Sequence, residues 1–308
     1  MLTGIDVSTQ QLVRLRPLAH SLYLSEFMGA LLTGETRSAI PGRGMDYEES
    51  RKYTPGDDSR MIDWRVTART GSAHTKVFRE DRQRMVYLVV DMSSTMRFGT
   101  RTAFKSVVAA EAASLLAWAA LDQGNLVSIT GISDSRLYQS RFASVARSLT
   151  RQLAVLSDLS RNTETAAGFD GLSESLASIA KRVRYGDMVI ALSDFSRLSA
   201  SAIRSFEYFS SKRALSLIWI SDAVERTALP AGNYRVTDGT SYAALRISSR
   251  RHSRKLQRIL DERNERFREA ATRARASLIQ LTPGDDVSMS LQAGFSRRLH
   301  VRRLPASR

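Results

Sequence analysis

A chain of 308 residues, 43% apolar and 25% charged, suits about two domains or one large α/β unit with additions, and it is too apolar to be disordered throughout. Cysteine is absent, which excludes disulfides, thiolate zinc sites, iron–sulfur clusters and cysteine nucleophiles; the four histidines (His20, His74, His252, His300) are far apart in sequence and give no histidine-rich metal motif. The net charge of +15 is concentrated: residues 246–308 carry sixteen basic and six acidic side chains, a net +10, and forty of the 46 basic residues are arginine. Such a tail suits an acidic protein, a nucleic acid or an anionic membrane, while arginine richness also follows from genome composition alone.

Residues 1–34 read as a helical segment, with Leu12, Leu15, Leu18, Leu22, Phe27 and Leu31 at three- and four-residue steps and Pro17 interrupting. Residues 35–82 form a turn-rich, β-containing subdomain, marked by Gly42-Arg43-Gly44 and Tyr53-Thr54-Pro55-Gly56-Asp57-Asp58, with two short strands expected, one near Thr75 to Phe78. From 83 to 295 apolar strands alternate with helices. Strands are expected at Met85–Val90, Asn125–Thr130, Arg136–Gln139, Asp187–Leu192, Ala214–Ile220 and Ser277–Leu281. Helices are expected at Arg101–Leu121, Phe142–Leu156, Leu172–Val183, Ala200–Ser211 and Asp285–Gly294. That alternation implies a mostly parallel sheet with helices on both faces, a Rossmann-like α/β fold. A hairpin around Asp238-Gly239 and a long amphipathic helix, together spanning about 234–275, form a helical extension near its end; Leu256, Leu260, Phe267, Ala271 and Ala274 mark the helix's packing face. Residues 296–308, with five arginines and no acid, are expected to be a mobile basic tail. The longest nearly apolar run, Ala112 to Leu121, has ten residues against about 20 for a bilayer span. With no signal-peptide pattern either, the expected location is the cytoplasm.

Three apolar strands end in aspartate: Asp91, Asp194 and Asp222. Ligands of open parallel sheets bind beyond the strands' carboxyl ends, where strand order reverses. The run Asp91-Met92-Ser93-Ser94-Thr95 places a carboxylate and two hydroxyls at alternate positions of a strand-to-helix loop. Hard oxygen donors of this kind suit Mg2+ or Mn2+, with Asp194 able to hold a further water. The competing reading is that Asp91 caps the next helix and the hydroxyls satisfy loop amides. An aspartyl phosphatase would need a second carboxylate two residues after Asp91, where Ser93 stands. Walker, dinucleotide-binding and nucleophile-elbow glycine motifs are missing.

The Asp91-x-Ser93-x-Thr95 run with a later strand-end aspartate resembles the metal-ion-dependent adhesion site of von Willebrand factor A domains. Upstream, Arg51-Lys52-Tyr53-Thr54-Pro55-Gly56-Asp57-Asp58-Ser59-Arg60-Met61-Ile62-Asp63-Trp64, continued by Ala68-Arg69-Thr70 and Phe78-Arg79-Glu80-Asp81, resembles the signature of the bacterial domain-of-unknown-function-58 family, over roughly residues 35–295. The resemblance implies a von Willebrand A-like domain preceded by a small, mainly β segment. It also implies a non-enzymatic role beside a MoxR-type AAA+ ATPase, in assembling or activating a client protein. By position, Asp91, Ser93, Thr95 and Asp194 match metal-site residues. The second loop departs: Phe169 or Asp170 stands where a threonine is expected, so only Asp170 could add a ligand there, with Thr163 and Thr165 upstream. Within the signature, Tyr53, Pro55, Gly56, Asp57, Asp58, Arg60, Asp63 and Trp64 read as structural: a Pro-Gly turn, Asp57, Asp58 and Asp63 pairing with Arg51, Arg60 and Arg65, and Trp64 plugging a junction with the main domain. The alternative function is binding of nucleic acid or another anionic surface, including peripheral membrane contact, through residues 246–308. The acids Asp261, Glu262, Glu265 and Glu269, and the lack of aromatics other than Phe267 in the long helix, weigh against nucleic acid. A metal-dependent phosphohydrolase is the remaining reading.

Overall fold

The computed structural model describes residues 1–22, 45–80, 83–162, 168–212, 215–227, 229–237 and 242–303. Phe27, Leu31, the Gly42-Arg43-Gly44 run, Asp81, Thr163, Thr165 and the Asp238-Gly239 turn lie outside the described residues. Two compact units are present, one formed by Met1–Leu32 with Arg84–Arg308 and the other by Thr33–Gln83. At the start, Pro17 splits the expected helix into α1 (Thr9–Arg14) and α2 (Arg16–Ala19). Leu12, Leu15, Ala19 and Leu22 are buried, whereas Leu18, expected on the packing face, is half exposed because the break at Pro17 turns it outward.

In the smaller unit β1 (Met45–Lys52) pairs antiparallel with β2 (His74–Glu80). Thr54 to Asp57 makes a tight turn closed by the Asp57 amide donating to the Thr54 carbonyl (3.0 Å); Gly56, at φ +110°, holds the position that L side chains disfavour. Arg51 Nη2 donates to Asp57 Oδ1 at 2.6 Å, which with the Thr54 amide holds the Asp57 carboxyl below its ordinary value. Asp58 and Asp63 cap backbone, and among the described residues neither makes the expected ion pair with Arg60 or Arg65. Asp58 accepts from the Arg60 amide at a 3-10 turn. Asp63 accepts from the Arg65 and Val66 amides to start α3 (Trp64–Thr70), and from Ser50 Oγ at 2.8 Å. Trp64 is 69% exposed.

The larger unit is built on β3 (Met85–Asp91), α4 (Lys105–Asp122), β4 (Leu126–Ile132), β5 (Leu137–Gln139), α5 (Ala146–Arg161), α6 (Gly171–Ala180), β6 (Met188–Ser193), α7 (Ala200–Ser211) and β7 (Leu215–Ile220). The hairpin β8 (Gly232–Thr237) and β9 (Tyr242–Ile247) follows, then α8 (Arg250–Arg273), β10 (Ser277–Leu281) and α9 (Val287–Arg303). The six-stranded sheet has the order β10-β7-β6-β3-β4-β5, parallel throughout except for the antiparallel edge strand β5. This is the expected mixed α/β architecture, a mostly parallel sheet flanked by helices. Its central strands are buried on both faces, as continuous Val/Ile/Leu runs require, whereas the edge strands β10 and β5 are partly exposed. One core cluster joins α1, α2, α4, α5 and α9 to one face; the other joins α6, α7 and the C-terminal half of α8 to the opposite face.

Helix α4 is the centrepiece: every residue from Lys105 to Ala120 is buried. Small residues at Ala109, Ala110, Ala112, Ala113, Ala117, Ala119 and Ala120 let neighbours approach it from every side. Ser114 Oγ donates to the Leu12 carbonyl (2.7 Å), so α1 lies directly across it. The basic segment expected to be mobile is helical as far as Arg303, since it holds no Gly or Pro before Pro305. Among the described residues no helix is long and apolar enough to cross a membrane.

Candidate functional site

Chain order reverses at β3: β4 joins one side and β6 the other. The crevice of about 620 Å³ beyond these strand ends lies where an open parallel sheet places its ligand. Asp91, Ser93, Thr95, Phe169, Asp170 and Arg197 line it, with Arg266 from α8.

Four neighbouring strands deliver an aspartate to this end of the sheet, and three of the four grip the segment that follows Asp91. After β4, Asp134 accepts from the Ser94 amide and Ser94 Oγ, both at 2.7 Å, and from Arg197 Nη1 at 3.3 Å. Past β6, Asp194 accepts from Lys105 Nζ at 2.7 Å and from the Ser196 amide at 2.9 Å. Beyond β7, Asp222 accepts from the Thr100 amide (2.9 Å) and Thr100 Oγ1 (2.7 Å). The loop between β3 and α4 is thus fixed near its start, middle and end by carboxylates of adjacent strands.

Asp91 is the exception. Its Oδ1 accepts from the Ser93 amide (3.0 Å) and its Oδ2 from Ser193 Oγ (2.6 Å), yet among the described residues no cationic side chain bonds to it. The register that pairs Val90 with Leu192 sets Asp91 beside Ser193. Burial (9% exposed) and the neighbouring Asp194 charge push the Asp91 carboxyl above the ordinary carboxylate value, against the opposing hydrogen bonds. Ser93 Oγ and Thr95 Oγ1 lie 3.2 Å apart, hydrogen-bonded to each other. Asp91, Ser93 and Thr95 are therefore together as the spacing implied.

Asp194 does not line the crevice. Burial, the largest influence, pushes its carboxyl up, but Lys105 and the Ser196 hydrogen bonds outweigh it and the group stays below its ordinary value. Lys105 is 1% exposed and also donates to Glu225 Oε1 (2.9 Å), which accepts from Arg263 Nη2 of α8 as well (3.2 Å). Burial pushes the ammonium down; the two carboxylates more than reverse that. Asp170 serves as N-cap of α6, accepting from the Ser173 amide (3.1 Å). Its burial pushes the carboxyl up, and hydrogen bonds from Ser173 and Ser199 hold it below the ordinary value. Phe169 presents a ring to the crevice and no oxygen donor.

Of the carboxylates lining the crevice, Asp134 is taken up by Ser94 and Arg197 and Asp170 by the cap of α6, which leaves Asp91, with the Ser93 and Thr95 hydroxyls, as the donors for a cation. A buried carboxylate lacking a cation, beside two hydroxyls, fits a hard divalent ion such as Mg2+ or Mn2+. Among the described residues no group of three or more His, Cys, Asp or Glu side chains gathers as a metal site.

Sequence reading missed Asp134, Lys105, Glu225 and Arg197. The signal for Asp134 was there: Ile132-Ser133-Asp134 repeats the pattern of Leu192-Ser193-Asp194 and Ile220-Ser221-Asp222. Gly131 obscured it by suggesting that β4 ended at Thr130. Lys105, one of only six lysines, stands alone at the head of an apolar helix.

The molecule is an open α/β protein with a strand-end crevice floored by one uncompensated aspartate. The family described as "Protein of unknown function DUF58" matches residues 49–270, and the chain belongs to that family. The uncharacterized proteins Mb1516 of Mycobacterium bovis and Rv1480 of Mycobacterium tuberculosis are each 31% identical to it over 178 residues, 56% of this chain and 54% of theirs. The chain spans about half the length of these curated relatives. Among solved structures, BatB from Bacteroides thetaiotaomicron aligns with 12% identity and a TM-score of 0.45, over 70% of this chain and 99% of that one. An aerotolerance-related membrane protein from Bacteroides fragilis aligns with 12% identity and a TM-score of 0.43 over the same shares.

Proposed function

We propose that this chain is a non-enzymatic interaction module of von Willebrand A type, which presents the Asp91 loop to a partner and works beside a MoxR-type AAA+ ATPase on a client protein. The observation that carries the reading is the division of labour among the four strand-end aspartates. Three immobilise the loop and the fourth is left buried, without a cation, facing open space. A preorganised loop of this kind suits docking, because little ordering remains for the partner to impose. Asp91, Ser93 and Thr95 would hold a Mg2+ or Mn2+ ion, which supplies a positive centre for an acidic group of the partner. The chain's own part is to keep those three oxygens in place, with Ser193 orienting the Asp91 carboxylate. Among the described residues no histidine or lysine bonds to Ser93, Thr95 or Ser193, so none of these three crevice hydroxyls has the basic partner that activates a nucleophile.

The test is isolation of the crosslinked full-length protein from cells of its source. An AAA+ ATPase should accompany the wild type and be lost from Asp91→Ala and from the Ser93→Ala/Thr95→Ala pair, with circular dichroism unchanged. Full retention by both variants would reduce the loop to a helix-entry structure. Phosphoester hydrolysis by the pure protein should stay at background, with or without Mg2+.

A second reading has one specific observation in its favour. The first turns of α8 carry Arg250, Arg251, Arg254 and Lys255 with no acid in the first turn, where the helix dipole disfavours cations. Farther along, Arg258 pairs with Glu262 (3.3 Å). An anionic partner at the helix start would relieve that repulsion. Binding to duplex DNA that falls steeply between 50 and 200 mM salt, on the order of a thousandfold for six phosphate contacts, would support it; flat or undetectable binding would remove it.

A further inference from the structure

One acid that could serve the crevice, Asp194, is kept away from it by a lysine. Asp194 follows Ser193, whose hydroxyl orients Asp91, and its charge is close enough to raise the Asp91 carboxyl. Yet Asp194 spends its oxygens on the Lys105 ammonium and the Ser196 amide and does not line the crevice. Glu225 accepts from the same ammonium and is anchored by Arg263 and by its capping contact with the Asp222 amide. Lys105 is fixed by its own place in the fold: it opens α4, its amide donates to the Phe98 carbonyl (2.8 Å), and its Nζ sits 5.5 Å from the Phe98 ring centroid.

We propose that Lys105 is a positioning residue that withholds Asp194 from the crevice, so that a divalent cation at the Asp91 loop is held by one carboxylate rather than two. The proposal rests on the reading of Asp91, Ser93 and Thr95 as a cation site. Its chemical consequence follows from charge count: hard-cation affinity rises with the number of carboxylates that face the ion. With Asp194 neutralised inside the protein, the loop binds an ion weakly and leaves it strongly electrophilic. The positive charge is then available to an incoming carboxylate of the partner instead of being spent on an internal one.

The experiment measures Mn2+ binding to the full chain, with Mn2+ alone as the probe, by electron paramagnetic resonance of the free ion. Lys105→Met/Glu225→Gln removes one cation and one acid together, leaving the local charge balanced and Asp194 released. Its Mn2+ affinity should exceed that of the wild type by about tenfold or more. Adding Asp194→Asn to the pair should abolish that gain. Equal affinity in the wild type and the double variant, with circular dichroism and melting showing an intact fold, would overturn the proposal. So would a gain that persists in the triple variant, because it could not come from Asp194. Asp91→Asn tests the underlying reading separately. If it leaves Mn2+ binding untouched, the loop is not the cation site; if it abolishes binding while the double variant shows no gain, only the role of Lys105 is refuted.

Discussion

Asp91 and Lys105 are both buried charges, but they stand in opposite electrostatic circumstances, and this gives opposite expectations on substitution. Asp91 has hydrogen-bond donors but no cation, and its carboxyl is raised in the fold. A carboxyl raised in the folded state binds more protons there than in the unfolded chain. Stability is therefore lost as pH climbs above the ordinary carboxylate value of about 4. Asp91→Asn removes the charge; its oxygen can still accept from the Ser93 amide, while its amide nitrogen must donate to Ser193 Oγ, reversing that bond. It should melt about 2–4 °C higher than the wild type at pH 7, the shift that about 1 kcal/mol makes in a domain of this size, and the gap should close on acidification to about pH 4. Equal melting temperatures across that range would refute the argument. Lys105→Met alone does the reverse: it strands Asp194 and Glu225, both buried, without their shared cation. A loss of about 3–5 kcal/mol is expected in urea unfolding. Asp194, held below its ordinary value by Lys105, adds stability that is present above about pH 4 and disappears as pH falls through its lowered value.

At the scale of elements, the loop from Met92 to Phe104 has little slack. Gly99 is needed for close approach and not for its backbone angle: a Cβ there would lie 2.0 Å from the Ala103 carbonyl oxygen. Backbone cannot rotate away as a side chain would, so Gly99→Ala should destabilise by about 1–3 kcal/mol. It should also weaken partner capture, measured by the same crosslinking. Gly171 meets side chains instead, with Ile132 Cγ2 at 2.4 Å and Phe169 Cε1 at 2.9 Å from an added Cβ, and can recover part of its loss by repacking. These elements were legible in the sequence to different degrees, for physical reasons. The strands of the main sheet were plain, because double burial forces uninterrupted Val/Ile/Leu runs such as Met188 to Leu192. The Asp91, Ser93 and Thr95 grouping was legible too, since all three sit in one local loop. What lay hidden were partnerships across long separations: Lys105 with Asp194 and Glu225, Asp134 with Ser94, Asp222 with Thr100. Nothing in local spacing reports that a helix-opening lysine will meet the ends of two later strands. Asp57 pairs with Arg51 as read, but Asp58 and Asp63 misled in the other direction, because capping a helix or turn needs only a nearby amide, and adjacent arginines made ion pairs look natural.

For the molecule as a whole, the span that matches the family, residues 49–270, is narrower than what the larger unit is built from. It leaves out α1 and α2, whose Leu12 and Leu15 share a core with α4. It also leaves out β10, paired along its whole length with β7, and α9, whose Val287, Leu291 and Phe295 close the same core. A fragment cut at those limits would bare one flank of an alanine-rich rod that has no polar face to offer water, and would expose β7 as a sticky sheet margin. Such a truncation should be recovered from expression as aggregate, where the full chain is not. Fragments meant for screening partners are therefore best cut outside both flanks, since homology limits here follow shared ancestry and not the boundaries of cooperative folding.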